Sequence, residues 1–355
     1  MLNLTGLFAI PGSVEKVEPY GNGHINQTYL VTADCGRYIL QRINDSIFTD
    51  VDGLMHNIHA VTEYLAASDP DPRHVLRIVP ARDGGTYIRN DKGCWRLYNF
   101  IENSLCLEKV GTAQDFETSA FAFGDFQRRL KQFPASTLTE TIARFHDTPD
   151  RYRIFREALE KDPLGRAKDV QPEIEFALER EKDAGVMMGM LKKGELPLRV
   201  THNDTKLNNV MLDAKTRKAL CVIDLDTVMP GLAAYDFGDS IRFGAATAAE
   251  DEKDLDKMSM DLELYRTFAR GFIRSCPSLT EKERETLPLG AMTMTLECGL
   301  RFLTDYLDGD HYFAIHRPEH NLDRARTQFK LVRDMEAKWE DMCRIIREET
   351  ALLKG

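Results

Sequence analysis

Between residues 13 and 100 apolar and polar positions alternate in short runs. Segments 14–19 and 27–32 stand on either side of the turn Tyr20-Gly21-Asn22-Gly23-His24-Ile25-Asn26, and 37–42 makes a third run. This period of two predicts three strands. In 50–67 the rhythm changes, with Val51, Leu54, Ile58, Val61 and Leu65 at three- and four-residue steps, which predicts a helix. Two further strands are expected near 75–80 and 93–100. After Glu102 the helical period dominates, over 116–130, 154–160, 172–191, 262–275, 289–307 and 321–353. One interruption stands out: 210–212 and 219–223 read as short apolar strands joined by the polar turn 213–218. A β-rich segment, 1–102, is thus followed by a mainly helical one, 103–355. The class expected is α+β, with a small β-sheet lobe carrying one helix and a larger helical lobe.

The interruption is bracketed by the residues that carry chemistry. Val200-Thr201-His202-Asn203-Asp204-Thr205-Lys206-Leu207-Asn208-Asn209 precedes it and Val222-Ile223-Asp224-Leu225-Asp226 follows it. An Asp, an Asn five positions later, and a second Asp on an apolar strand beyond a hairpin is how kinase-like phosphotransferases hold a base and a divalent metal together. Asp204 would accept the proton of an attacking hydroxyl. Asn209 and Asp224 would supply oxygen ligands to Mg²⁺ bridging the phosphates of ATP, because Mg²⁺ takes oxygen donors. Lys206 can reach the γ-phosphate as a compact point charge. A lone Asp-x-x-x-x-Asn is usually turn chemistry; it is the addition of His202, Lys206 and the strand-borne Asp224 that moves the reading to phosphoryl transfer. Asp236-Phe237-Gly238 spells a kinase metal tripeptide but stands 32 positions after Asp204, against 20 for Asp224. The segment 235–239 is therefore read as a helix start that buttresses the catalytic loop.

Composition narrows the setting. At 355 residues the chain has room for two cores, and 43% hydrophobic with 29% charged residues is ordinary globular usage. No apolar run approaches the roughly 20 residues needed to cross a bilayer, and 1–10 does not read as a secretory signal. Seven cysteines, scattered and without a Cys-x-x-Cys pair, suit a reducing cytoplasm without structural zinc. The net charge of −10 argues against nucleic acid or an anionic membrane as partner, since both are bound through cationic patches. It also means that a site for a nucleotide must bring its own positive charge. A monomer acting on small molecules is expected.

The glycine-bearing turn is the second functional signal. Gly21 and Gly23 permit backbone conformations and close amide approach that suit a phosphate, although two glycines in a hairpin are also simply a turn. His24 at its tip is either a contact to substrate or a surface histidine. His316 and His320 stand four apart, but Pro318 between them argues against a helical metal pair.

Together the segments 18–26, 200–209, 223–227 and 237–244 resemble the aminoglycoside phosphotransferase and choline kinase superfamily. Within it they look most like bacterial N-acetylhexosamine 1-kinases, and 296–303 and 305–313 share in the likeness. The resemblance implies a bilobal protein-kinase-like fold with ATP in the cleft, its adenine against Phe100-Ile101-Glu102 and its phosphates near Gly21, Gly23 and Lys206. It implies an ATP-dependent phosphotransferase making the 1-phosphate of GlcNAc or GalNAc, with Asp204 as base, Asn209 and Asp224 holding Mg²⁺ and Asp226 helping with a second ion. The amino sugar would be held by His24, Asp204, Thr227, Arg301 and Tyr312. Arg301 suits that role on its own chemistry, as an arginine in an apolar run that needs an oxygen partner, unless it reaches the surface or pairs with a core carboxylate. One departure is plain: the superfamily's third strand ends in a lysine that touches the phosphates, and here Gln41 stands at that place. Kinases of another small hydroxyl acceptor (choline, an aminoglycoside, methylthioribose or homoserine) remain the alternative, and a catalytically silent nucleotide-binding module lies behind them.

Overall fold

In the computed structural model, which describes residues 1–21 and 25–353, the chain divides into two compact units, each discontinuous in sequence. One comprises Met1–Cys106, Gln132–Ala143 and Asn209–Pro230; the other Leu107–Lys131, Arg144–Asn208 and Gly231–Gly355. The hairpin read from sequence as an interruption of the helical segment thus groups with the N-terminal strands.

The first unit is built on an antiparallel sheet. Val14–Pro19, Gln27–Ala33, Gly36–Ile43, Gly93–Asn99 and Ile78–Val79 lie side by side in that order, and Ile88–Asn90 also pairs with Gly93–Asn99. Val14–Pro19, Gln27–Ala33, Gly36–Ile43 and Gly93–Asn99 match the expected strands, whereas the strand expected over 75–80 shrinks to the two residues Ile78–Val79. Because side chains alternate across a sheet, Val31, Leu40 and Leu97 enter a core with Tyr38 and Trp95. The opposite face carries a polar row: Thr28 stands opposite Gln41, and Gln41 opposite Arg96. The helix Val51–Ser68 is capped by Asp50, whose carboxylate accepts from the Gly53 amide at 2.9 Å, and buries the apolar stripe expected of it. Its buried Asn57 donates to the carbonyls of Thr139 and Val228 at 2.7 and 3.0 Å and accepts from the Thr139 amide at 2.9 Å. One side chain thereby ties the three pieces of this unit together.

The hairpin forms as expected. Val210–Asp213 pairs with Ala219–Val222 on one side and with Ser104–Leu105 on the other. Its turn is organised by Asp213, which accepts from the Lys215 and Thr216 amides at 3.1 and 2.8 Å. Those bonds, first among them the Thr216 amide, push its carboxyl down to about 2.

The second unit is helical. Ala113–Arg129, Thr148–Lys161 and Leu262–Ser275 appear near their expected places. The expected helix over 172–191 is three pieces, Gln171–Glu179, Glu181–Ala184 and Val186–Lys192, with Gly185, a poor helix former, at one break. The C-terminal segment is two helices, His320–Ala337 and Trp339–Ala351, which part at Lys338. Glu281–Asp308 begins eight residues before the expected start, at a capping box formed by Thr280 and Glu283, and runs on through Pro288. The helix Ala233–Gly244, buried at every position but Phe243, lies against Glu281–Asp308, and there Gly238 and Gly290 let the backbones meet. A Cβ on Gly238 would stand 2.3 Å from the Gly290 carbonyl oxygen.

Candidate active site

The segment 202–209 leaves the strand Arg199–Thr201 and is held by the helix Ala233–Gly244. Buried Asp236 accepts from the amides of His202 and Asn203, at 3.0 and 2.8 Å on one oxygen, and from Gln127 at 2.7 Å on the other. One turn on, Asp239 accepts from the Thr205 amide at 2.9 Å, while the Thr205 hydroxyl donates to the Asp236 carbonyl at 2.6 Å and Ser240 to the Thr205 carbonyl at 2.9 Å. Five hydrogen bonds over one helical turn dictate the path of residues 202–205. This is the buttressing that the 235–239 segment was expected to supply. His202 itself is buried edge-on against Phe123 and Phe126, and its Nδ1 accepts from the Asp204 amide at 3.3 Å. It is a structural histidine of the loop.

Asp204 and Lys206 are brought together, Nζ to Oδ1 at 2.8 Å. The Asp204 charge, with Asp239 behind it, raises the Lys206 ammonium above its ordinary value despite desolvation, so the lysine stays charged. Against the cost of burial, Arg242 and Lys206 keep the Asp239 carboxyl below its usual range.

The same unit holds Arg301 and Tyr312. The Arg301 guanidinium lies over the rings of Phe145, Tyr312 and Phe313, 5.3, 5.7 and 5.4 Å from their centroids. Among the described residues it makes no hydrogen bond. The loop carrying Tyr312 is shaped by buried Asp305, whose carboxylate accepts from the amides of His311, Tyr312 and Phe313 at 2.8–2.9 Å and from Asn321 at 2.8 Å. Tyr312 is left 62% exposed. Beside Arg301 stands a pair that the sequence did not single out: His146 Nδ1 lies 2.9 Å from Glu297, whose other oxygen accepts from Thr148 at 2.7 Å. Burial opposes ionisation of Glu297, yet His146, Arg301 and Arg151 hold its carboxyl below the ordinary value.

The remaining expected residues belong to the first unit. Gly21 has φ +73°, and no described atom lies within 4 Å of where a Cβ would be. Gly23 and His24 lie outside the described residues. Phe100 is covered on one face by the Arg37 guanidinium at 4.0 Å and meets Tyr20 edge-on, and Ile101 is buried. Gln41 donates to Thr28 at 3.1 Å and accepts from Arg96 at 3.0 Å. Arg96, 1% exposed, grips Asp226 with both terminal nitrogens, at 2.5 and 3.0 Å. Sequence reasoning missed it, although it is a charged residue in an apolar strand, the very signal that drew attention to Arg301.

Asn209 and Asp224 are neighbours through the hairpin, because the Ile223 amide donates to the Asn209 carbonyl at 2.9 Å. Asp224 is exposed and adopts φ +59°, Asp226 is buried, and Thr227 ends the short turn Leu225–Thr227. The donors fit a hard divalent cation: one exposed carboxylate and one amide oxygen, a set that Mg²⁺ completes with water and substrate phosphates rather than with a protein cage. Asp226 differs, since its carboxylate is already neutralised by Arg96.

Residues 16–268 match the family model described as a phosphotransferase enzyme family. The chain belongs to this family. Solved structures agree with the fold of the phosphotransferase family along nearly the whole length. The aminoglycoside phosphotransferase from Alicyclobacillus acidocaldarius subsp. acidocaldarius superposes with a TM-score of 0.63 at 12% identity, covering 99% of this chain and 96% of that one. For choline kinase from Cryptosporidium parvum the TM-score is 0.57 at 15% identity, over 92% and 90%. For a spectinomycin phosphotransferase in complex with ADP and spectinomycin it is 0.54 at 10%, over 93% and 98%. At such identities the likeness is one of fold. A small-molecule phosphotransferase with a hydroxyl acceptor is what family membership supports. No helix among the described residues is long and apolar enough to cross a membrane.

Proposed function

We propose that the protein transfers the γ-phosphoryl group of ATP to the anomeric hydroxyl of an N-acetylhexosamine, GlcNAc or GalNAc, releasing ADP and the sugar 1-phosphate. Asp204 accepts the proton of the attacking hydroxyl as the new oxygen–phosphorus bond forms and the bond from the γ-phosphorus to the bridging oxygen of ADP breaks. Lys206, kept charged by Asp204, meets the negative charge on the transferred group. Asn209 and Asp224 hold Mg²⁺, which when bound neutralises the triphosphate. Gly21, Gly23, Gln41, Phe100 and Ile101 belong to the nucleotide half, and His24, Thr227, Arg301 and Tyr312 to the acceptor half. Asp226 is assigned to Arg96 rather than to a second ion.

The observation that carries the choice of acceptor is Arg301. A site for choline or an aminoglycoside would offer carboxylates or open aromatic faces to a cation. Here Phe145, Tyr312 and Phe313 already face a guanidinium, whose five donors make no hydrogen bond among the described residues and suit the oxygens of a neutral sugar. ADP release from Mg–ATP decides the matter, with GlcNAc, GalNAc, choline and spectinomycin offered in turn. Turnover of an amino sugar supports the reading, a clear preference for choline or spectinomycin replaces it, and no turnover with any acceptor favours a silent module. With the accepted sugar, Asp204→Asn should lower kcat by about 10²–10⁴-fold while ADP still binds, the range a general base contributes; near-normal turnover removes Asp204 from the role.

A further inference from the structure

Gln41 leaves the usual phosphate-binding cation of the third strand missing, and the sheet nevertheless carries a positive charge one strand over. Arg96 stands opposite Gln41 in register and is almost fully buried. Its bonds form part of a closed circuit. Thr28 accepts from Gln41, Gln41 accepts from Arg96, Arg96 donates twice to Asp226, and Asp226 accepts from Asn26 at 2.6 Å. Asn26 precedes Thr28 by two residues on the same stretch of chain, so the ring returns to where it began. Asn26 is also fixed from its other end, since its Oδ1 accepts from the Asn44 amide at 3.0 Å.

The circuit joins two segments of different duty. Asn26 leads into the strand Gln27–Ala33, and Asp226 lies two residues beyond Asp224. The Asp226 backbone is held as well, its carbonyl accepting from Thr141 at 3.2 Å, and two residues on Asn57 holds the Val228 carbonyl. A buried ion pair is a poor source of net stability compared with apolar packing, and its better-attested use is to specify one geometry. With Asp226 balancing its charge, Arg96 is not a free cation awaiting a phosphate. We propose that Arg96 is a positioning residue: its ion pair with Asp226, passed on through Asn26, locks the start of the strand Gln27–Ala33 to the Asp224 segment, so that these parts of the nucleotide half are set before nucleotide arrives. This rests on the placing of ATP in that half.

The test is the affinity for ADP with Mg²⁺, by calorimetry, of the intact protein and of Asn26→Ala, Asp226→Asn and the double variant. Asn26→Ala cuts the circuit at its partly exposed edge and leaves the Arg96–Asp226 pair whole, so it stays informative even if Asp226→Asn does not fold. Each single substitution should weaken ADP about tenfold, equivalent to about 1.4 kcal/mol, with the double variant no weaker than Asp226→Asn alone, because both act through one contact. The acceptor KM should stay within about twofold of its original value. Unchanged ADP affinity in Asn26→Ala, losses that multiply in the double variant, or an acceptor KM that rises as far as the ADP Kd would each overturn the proposal. An intact protein that binds no Mg–ADP overturns the nucleotide placement and this proposal together, whereas tight binding indifferent to Asn26→Ala overturns this one alone.

Discussion

At the scale of single residues, the two charged groups that sequence reasoning missed, Arg96 and Glu297, behave alike. Each is buried, and each is kept ionised by charged partners: Asp226, distant in the chain, for Arg96, and for Glu297 the distant His146 and Arg151 together with Arg301 one turn along its own helix. The sign for Glu297 follows from the direction of its shift. A carboxyl depressed in the folded state contributes stability above its ordinary value near pH 4.5, and that contribution is lost as pH falls through the folded value. Glu297→Gln should therefore be less stable than the native protein at pH 7, with the gap narrowing at pH values below about 4.5. Urea midpoints at pH 7 and at successively lower pH measure this; a gap that widens on acidification contradicts it.

At the scale of elements, the segment 202–205, which carries the proposed base, owes its path to one helix. Ala233–Gly244 presents Asp236 and Asp239 one turn apart to the amides of residues 202, 203 and 205, and its own seat is set by the close approach of Gly238 to Gly290. Adding a methyl group at Gly238 sets a Cβ against backbone, which cannot swing aside as a flexible side chain does. Gly238→Ala should destabilise the fold by about 1–3 kcal/mol, the usual cost of overpacking, and displace the two carboxylates, lowering kcat more than it raises the KM for ATP. A thermal midpoint and kcat both within error of the native values would show that the helices part at no cost.

At the scale of the molecule, the chain is two units interleaved in sequence, with one boundary between Asn208 and Asn209. A nucleotide that binds the folded chain and not the unfolded one must raise its apparent stability by mass action. Mg–ADP at about 100 times its Kd should add about 2.7 kcal/mol, a rise of several degrees in Tm for a chain of this size. No shift at saturating Mg–ADP would count against nucleotide binding. Choline at the same concentration, offered without nucleotide, should leave the Tm unchanged.

What the sequence determined by itself was whatever depends on neighbours along the chain. Period-two runs made the strands, three- and four-residue spacing made most helices, turn chemistry at Asp213 made the hairpin, and the spacing of Asp204, Asn209 and Asp224 pointed to the reaction class. Breaks at Arg180, Gly185 and Lys338 and the early start at Thr280 were less legible, because a helix end reflects caps and packing as much as periodicity. Only the tertiary structure decided which charges meet. Gln41 could be seen as a departure, but that Arg96 stands opposite it and answers Asp226, 130 residues away, is a matter of strand register and of a hairpin returning to the N-terminal sheet. Burial then turns such a meeting into a requirement, since a charge removed from water must find its partner in the folded chain.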